Sequence, residues 1–316
     1  MNSRERVIAA IEYQNPDRMP FMMYGEDPDN KDLNDIIWIG VGGYSEGCLP
    51  GRNIDNWHCE WLNLIAPKLG QVVGHPLENP SALSSYIPPD PMDLDINPAK
   101  EVAEKRDDKY LILGYISLFE RLVNLRGFEN LLVDIAFEEE HFFQMRDMVL
   151  AYNLKLIDRL LALNPDAIYL ADDWGSQISL MIDPKAWRKL FLPAYQQMIN
   201  RVRNKGKHVF FHTDGYIMPI FPDLIEAGVQ AFWVEFGPNS IDELAKYAKG
   251  KAAFQALLDT QYLECLPLDE LRDHAKHCYR VLGGPQGGFI VHCECDDPIR
   301  NQLVYGVYKE ISYGFI

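Results

Sequence analysis

Val209-Phe210-Phe211-His212-Thr213-Asp214-Gly215 is an apolar run that ends on an imidazole, sets a carboxylate two residues later and turns at a glycine. Its apolar half reads as a buried β-strand, and residues 216–227 after it read as a helix. A strand that hands polar residues to a turn and then to a helix is the unit with which an α/β barrel delivers chemistry to the C-terminal rim of its strands. The stretch therefore predicts a fold and a place for an active site together.

The same alternation extends on both sides. Strands are expected over 110–114, 166–171, 207–212, 230–235, 252–257 and 288–292, and helices over 119–126, 137–163, 183–206, 217–227, 241–248, 268–282 and 299–312. Asp183-Pro184 supplies a capping carboxylate and a first-turn proline, and Pro193 predicts a kink in the helix that follows. Glycines 206, 228, 250, 287 and 288 precede strands. Strict alternation demands a parallel sheet with right-handed crossovers. Near the N-terminus, residues 3–13 read as a short helix and 19–24 as a first strand. An eighth strand is expected between residues 60 and 75. The fold class is thus α/β, a single (β/α)8 TIM barrel spanning 1–316, with an irregular N-terminal part (1–105) and regular βα units (106–316). A doubly wound open sheet is the runner-up; no glycine-rich dinucleotide fingerprint follows an early strand.

Hydrophobic content of 47% and charged content of 24% suit a globular enzyme, and no apolar run is long enough to span a bilayer. The polar N-terminus lacks the apolar core of a signal peptide, so the expected location is the cytoplasm. A formal net charge of −16 repels phosphate backbones and argues against nucleic-acid binding. Six cysteines without a C-x-x-C pair form no disulfide framework in a chain of 316 residues.

In a barrel, the residues just after each strand gather at one mouth. Here they are Asp172, Asp173, His212, Asp214, Glu235, Asp259 and the run His292-Cys293-Glu294-Cys295, with Trp174 and Gln177 close by. His212 and Asp214 can converge on one ion where the chain turns at Gly215, and Cys295 can supply a third ligand. Three protein ligands with an open fourth position is the pattern of a catalytic zinc. The competing structural reading has Asp214 capping the next helix, His212 bonded inside the barrel and the cysteines buried as small hydrophobes. Asp172 and Asp173 point to opposite sides of a strand, so one can enter the mouth while the other caps a helix. Asp259 is the better single candidate for an inward carboxylate. Leu271, Ala275, Cys278 and Leu282 share one helical stripe and read as core. His75, in the irregular part, shows no obvious partner.

An ordered set of short motifs resembles the uroporphyrinogen decarboxylase superfamily, closest to its methyltransferase and uncharacterised branches. The set is Ser3-Arg-Glu-Arg-Val7, Asn15-Pro-Asp-Arg18, Gly74-His-Pro-Leu77, Leu125-Arg-Gly-Phe-Glu129, Ala171-Asp-Asp-Trp-Gly-Ser-Gln177, Phe211-His-Thr-Asp-Gly215 and Gly287-Gly-Phe-Ile290. It covers nearly the whole chain and implies a single (β/α)8 barrel. Decarboxylases of the family carry an arginine-rich segment for a polycarboxylate substrate; the region here reads Met22-Met-Tyr-Gly-Glu-Asp27, which would repel a polyanion. The methyltransferases carry a His-x-Cys pair and a distal cysteine around zinc. His212 matches the histidine and Cys295 the distal cysteine, while Asp214 replaces the first cysteine and makes the set harder.

The resemblance thus implies an enzyme that moves a methyl group between a small methylated compound, or a thiol or pterin, and a corrinoid protein. Zinc or another divalent metal would be held by His212, Asp214 and Cys295, with Glu235 as a spare ligand. Asp173 and Asp259 are the candidate acids. Asp172, Trp174, Gln177, Trp233 and Phe236 are the candidate substrate-binding residues. The partners expected are the corrinoid protein and the small methyl donor or acceptor, and a homodimer is allowed. The alternatives are a carboxy-lyase, or an inactive barrel that binds a tetrapyrrole or corrinoid.

Overall fold

The computed structural model describes residues 1–23, 34–66, 68–257, 263, 265–293 and 297–313. In chain order the strands are β1 (Phe21–Met23), β2 (Ile36–Ile39), β3 (Gly51–Ile54), β4 (Glu60–Asn63), β5 (Gln71–Gly74), β6 (Tyr110–Ile116), β7 (Ala167–Ala171), β8 (His208–Thr213), β9 (Ala231–Val234), β10 (Ala253–Leu257) and β11 (Phe289–Cys293). Eight of them form one parallel sheet in the order β1-β11-β10-β9-β8-β7-β6-β2. A parallel bridge between Phe21 and Asn34 brings the two edges together, so the sheet is a nearly closed (β/α)8 barrel. Every residue of β7 and β8 is buried, as expected of strands covered on both faces.

The eighth barrel strand is not where the sequence placed it. Residues 60–74 form β4 and β5, which pair antiparallel with β3 in a separate three-stranded sheet. Burial along β4 alternates, the pattern of a layer covered on one face. The barrel takes its strand instead from the short apolar run Ile36-Ile37-Trp38-Ile39, which pairs in parallel with β6 from Ile36↔Tyr110 to Ile39↔Leu113.

The helix expected over 137–163 is α5 (Glu140–Leu161), preceded by α2 (Asn97–Lys105), α3 (Phe119–Arg126) and α4 (Phe128–Phe137). Neither α2 nor α4 was expected, and α4 is set off from α5 where Glu138 turns left-handed at φ 53°. One expected long helix is divided. The segment 183–206 breaks at Phe191 into Pro184–Leu190 and Leu192–Arg203. Pro193 therefore sits in a first turn, where its missing N–H costs nothing. Asp183 caps as expected, accepting from the Lys185 amide at 2.7 Å.

A first helix, α1 (Ser3–Ile11), opens with a capping box in which the Asn2 and Glu5 side chains each bond the other's backbone N–H. Val7 and Ile11 of α1 join Tyr110, Ile112, Tyr169, Phe210 and Ile290 in the inner cluster that fills the barrel. At the same end His208 meets the Tyr110 hydroxyl at 2.7 Å through Nδ1. A larger apolar layer packs the outer helices onto the strands, and Leu271, Ala275, Cys278 and Leu282 all belong to it. With α1 against the N-terminal end of the strands, the C-terminal mouth is left for chemistry. No helix among the described residues is long and apolar enough to cross a membrane.

Candidate metal centre

The site begins with a register. Ala171 at the end of β7 pairs with His212 near the end of β8, so the residues that follow leave the barrel side by side. Their loops then touch at two glycines. A Cβ on Gly215, which has φ +76°, would collide with the Gly175 carbonyl, and one on Gly175 would collide with the backbone of residues 215 and 216. The Gly175 N–H donates to the Asp214 carbonyl at 3.2 Å and the Tyr216 N–H to the Ser176 carbonyl at 2.8 Å. This contact places Asp173 beside Asp214, whose N–H donates to Asp173 Oδ1 at 2.8 Å.

His212 reaches up between them. Its Nε2 lies 3.7 Å from Asp173 Oδ1 and 3.6 Å from Asp214 Oδ1. Ligand atoms of the three residues all fall within 4.8 Å of one another, and among the described residues this is the group that could hold a metal ion. Two ligand atoms, each about 2.1 Å from an ion at a tetrahedral angle, stand about 3.4 Å apart. The observed separations fit that geometry better than a hydrogen bond. The His212 ring is buried, and its Nδ1 meets no hydrogen-bond partner among the described residues. The two carboxylates are partly open to solvent, so the group has an accessible side. One nitrogen with two carboxylate oxygens is a harder donor set than histidine with cysteines.

The remaining expected residues divide into four groups. Trp233 lies against His212 with ring centroids 4.5 Å apart, and His292 meets Trp233 edge-on at 4.8 Å. Burial pushes His292 down to about 3, with His212 as a second cause, which keeps that ring neutral. Gln177 and Glu235 are at the rim, bonded to each other at 3.0 Å; Glu235 Oε2 also accepts from the Gly215 N–H at 2.8 Å. Glu235 thus braces the turn that carries Asp214.

Asp172, Trp174 and Phe236 are buried. Asp172 is buried beneath α3 (Phe119–Arg126): it accepts from the Leu118 and Glu120 amides at 2.8 Å each and from the Tyr195 hydroxyl at 2.6 Å. Burial pushes its carboxyl up to about 7, against the pull of those donors. Trp174 stacks on Phe119 at 4.2 Å and donates to the Tyr195 hydroxyl at 3.0 Å, inside the helix layer. Phe236 packs at 6.2 Å from Phe254. Side-chain alternation explains the first two, since 172 and 174 turn toward the helices while 173 turns to the mouth. Asp259 and Cys295 lie outside the described residues.

The centre opens on a cavity of about 550 Å³ whose lining includes Asp173, His212, Asp214, Glu120, Tyr44 and His75. The last three were missed in the sequence. Burial, the nearby Asp173 and Asp172, and a hydrogen bond to Asp173 push the Glu120 carboxyl well above the usual range. A signal was available: Glu120 stands four residues past the end of β6, in the first turn of the helix that follows it. His75 is fixed through Nδ1, 2.8 Å from the Asn124 carbonyl. Buried Asn239, also unforeseen, donates to the Gly215 and Glu235 carbonyls and accepts from the Ile217 amide, which locks the same turn.

The sequence profile of the family described as Uroporphyrinogen decarboxylase (URO-D) matches residues 67–303. No curated protein matches the sequence. Among solved structures, a methyltransferase from Methanosarcina mazei superposes with a TM-score of 0.73 over 98% of this chain and 99% of that one, at 15% identity. A B12-independent methionine synthase from Shewanella sp. W3-18-1 in complex with selenomethionine gives a TM-score of 0.49 over 68% of this chain and 67% of that one, at 8% identity. At such identities the likeness is one of fold.

Proposed function

The chain belongs to the uroporphyrinogen decarboxylase family, and from that premise we propose that it is a methyltransferase dependent on a divalent metal. The observation that carries this reading is the convergence of Asp173, His212 and Asp214 ligand atoms within 4.8 Å at the mouth of the barrel. Those three residues would hold the ion. Cys295 is the sulfur ligand that the family resemblance supplies, and Glu235 a reserve ligand. Asp173, expected first as an acid, moves into the ligand set. The closeness in fold to a methyltransferase supports the choice over a carboxy-lyase.

A divalent ion held there would act as a Lewis acid on a heteroatom that gives up a methyl group, or would keep an acceptor thiol as thiolate. The chain's own residues have separable tasks. Glu235 and Asn239 hold the Gly215 turn, so the 3.6 Å approach of Asp214 to His212 is set before anything binds. Trp233 presses on the His212 ring and fixes its plane. Glu120 stands at the cavity wall beside Asp173 and accepts from the Tyr44 hydroxyl at 3.4 Å. A corrinoid protein is the proposed partner at the open mouth, and the methyl donor or acceptor is a small molecule in the cavity.

Elemental analysis of the purified chain is the test. The expected result is about one divalent ion per chain, lost in His212→Ala and in Asp214→Ala, with methyl transfer between a methylated corrinoid protein and a thiol following the metal content. Wild-type protein that takes up no divalent ion would overturn the reading. Carbon dioxide released from a porphyrinogen, without methyl transfer, would replace it by the lyase.

A further inference from the structure

A second chamber of about 420 Å³ adjoins the metal-side cavity, within the size range of small-molecule sites. Tyr44, Leu69 and Tyr115 stand in both linings, so the two spaces share walls. The second is aromatic: Trp38, Trp57 and Tyr152 join Tyr44 and Tyr115 around it. Flat walls of this kind favour a flat occupant, stacked or edge-on.

The cation in this lining is Arg121. Its side chain is 5% exposed, and its guanidinium lies 4.7 Å from the Tyr44 ring and 5.2 Å from the Trp57 ring. The two rings fix the plane of the group. Nη1 donates to Asp55 Oδ2 at 2.9 Å. Asp55 also accepts from the Trp57 and Cys59 amides and the Trp61 indole, at 2.8–3.1 Å, so its oxygens are well supplied with donors. A guanidinium has five N–H donors. Among the described residues, the others meet nothing stronger than the Cys59 sulfur. The acids in the lining, Glu46 and Asp95, lie toward solvent, and Asp95 is exposed with Oδ1 taken by the Asn97 amide. A buried, oriented cation with donors to spare, set in an aromatic slot, selects a planar anion.

Building on the methyltransferase reading, we propose that this chamber binds the carboxylate-bearing end of the substrate, an aromatic or conjugated acid. Its ring stacks among Trp38, Trp57 and Tyr115, its carboxylate accepts from the free donors of Arg121, and its far end extends past Tyr44 and Tyr115 toward His212.

Benzoate and benzamide have the same shape and differ in charge, and titrating each into the metal-free full chain, followed by tryptophan fluorescence and calorimetry, tests the assignment. Benzoate is expected to bind tighter by about tenfold or more, the usual gain of a charge-assisted bond to arginine. Arg121→Gln should bring the two ligands together, and Arg121→Lys, which keeps a charge for Asp55 but loses the fork, should fall between. The acid-against-amide comparison in wild type stands even where the Gln variant does not fold. Equal affinities, or no binding of either at millimolar concentration, overturn the assignment. His212→Ala should lose metal and keep benzoate. Loss of benzoate in that variant would put the anion at the metal corner and end this inference. A wild-type chain that prefers benzoate yet binds no metal would end the methyltransferase reading and leave this one.

Discussion

Asp172 and Asp173 share a side chain and a strand end, yet one is a strut and the other faces the cavity. The strut can be tested by removal. Asp172→Ala leaves the Leu118 and Glu120 amides and the Tyr195 hydroxyl without their acceptor in a buried layer. Each such donor costs about 1–3 kcal/mol, so a loss of at least about 2 kcal/mol is expected in urea unfolding. A variant as stable as wild type would show that the carboxyl does not hold α3. Adjacency in the sequence requires the pair to split, because side chains alternate. It could not say which member faces the mouth, since that depends on where the sheet surrenders to the loop. Glu120 was missed for a related reason: its neighbourhood with Asp173 arises between residues 53 positions apart, across two strands.

Elements were legible where their signals are local. The start of α1 at Ser3 and the capping carboxylate of Asp183 needed a few residues each. The helix α4 went unforeseen, and the left-handed Glu138 that separates it from α5 leaves little mark in a sequence because it is not glycine. The helix α1 is also tied down by charge. Arg6 grips Asp17 with Nε–Oδ1 2.6 Å and Nη2–Oδ2 2.9 Å, and this hydrogen-bonded pairing holds the Asp17 carboxyl well below the ordinary carboxylate range. A depressed carboxyl gives stability that is full above the unfolded value of 3.8 and is lost as pH falls toward the folded value. Asp17 is 41% exposed, so solvent screening keeps the contribution small. In an acid titration followed by circular dichroism, Asp17→Asn should therefore show a shallower loss of stability below about pH 4 than wild type. Identical acid limbs would mean that the pair contributes nothing.

At the scale of the whole molecule, the metal centre should couple to stability. An ion that binds the folded chain and not the unfolded one adds about 2.7 kcal/mol at a hundredfold excess over its dissociation constant. Calorimetry of the chain with and without divalent metal should then show a midpoint higher by a few degrees, reversed by a chelator and absent in His212→Ala. A midpoint indifferent to metal would mean that Asp173, His212 and Asp214 sit together without an ion. The sequence alone determined the barrel and pointed to the strand ends that carry the candidate site: the alternation of strands and helices, the glycines before strands and the run from Val209 to Gly215 are short-range patterns of burial and turning. Tertiary structure alone decided that β2 rather than residues 60–75 supplies the eighth strand, that Asp173 joins His212 and Asp214, and that Arg121 is oriented by Asp55, Tyr44 and Trp57. Those outcomes depend on sheet register and on loops that meet only when the barrel closes. Contacts of that range are set by the packing of the whole chain, which no local pattern encodes.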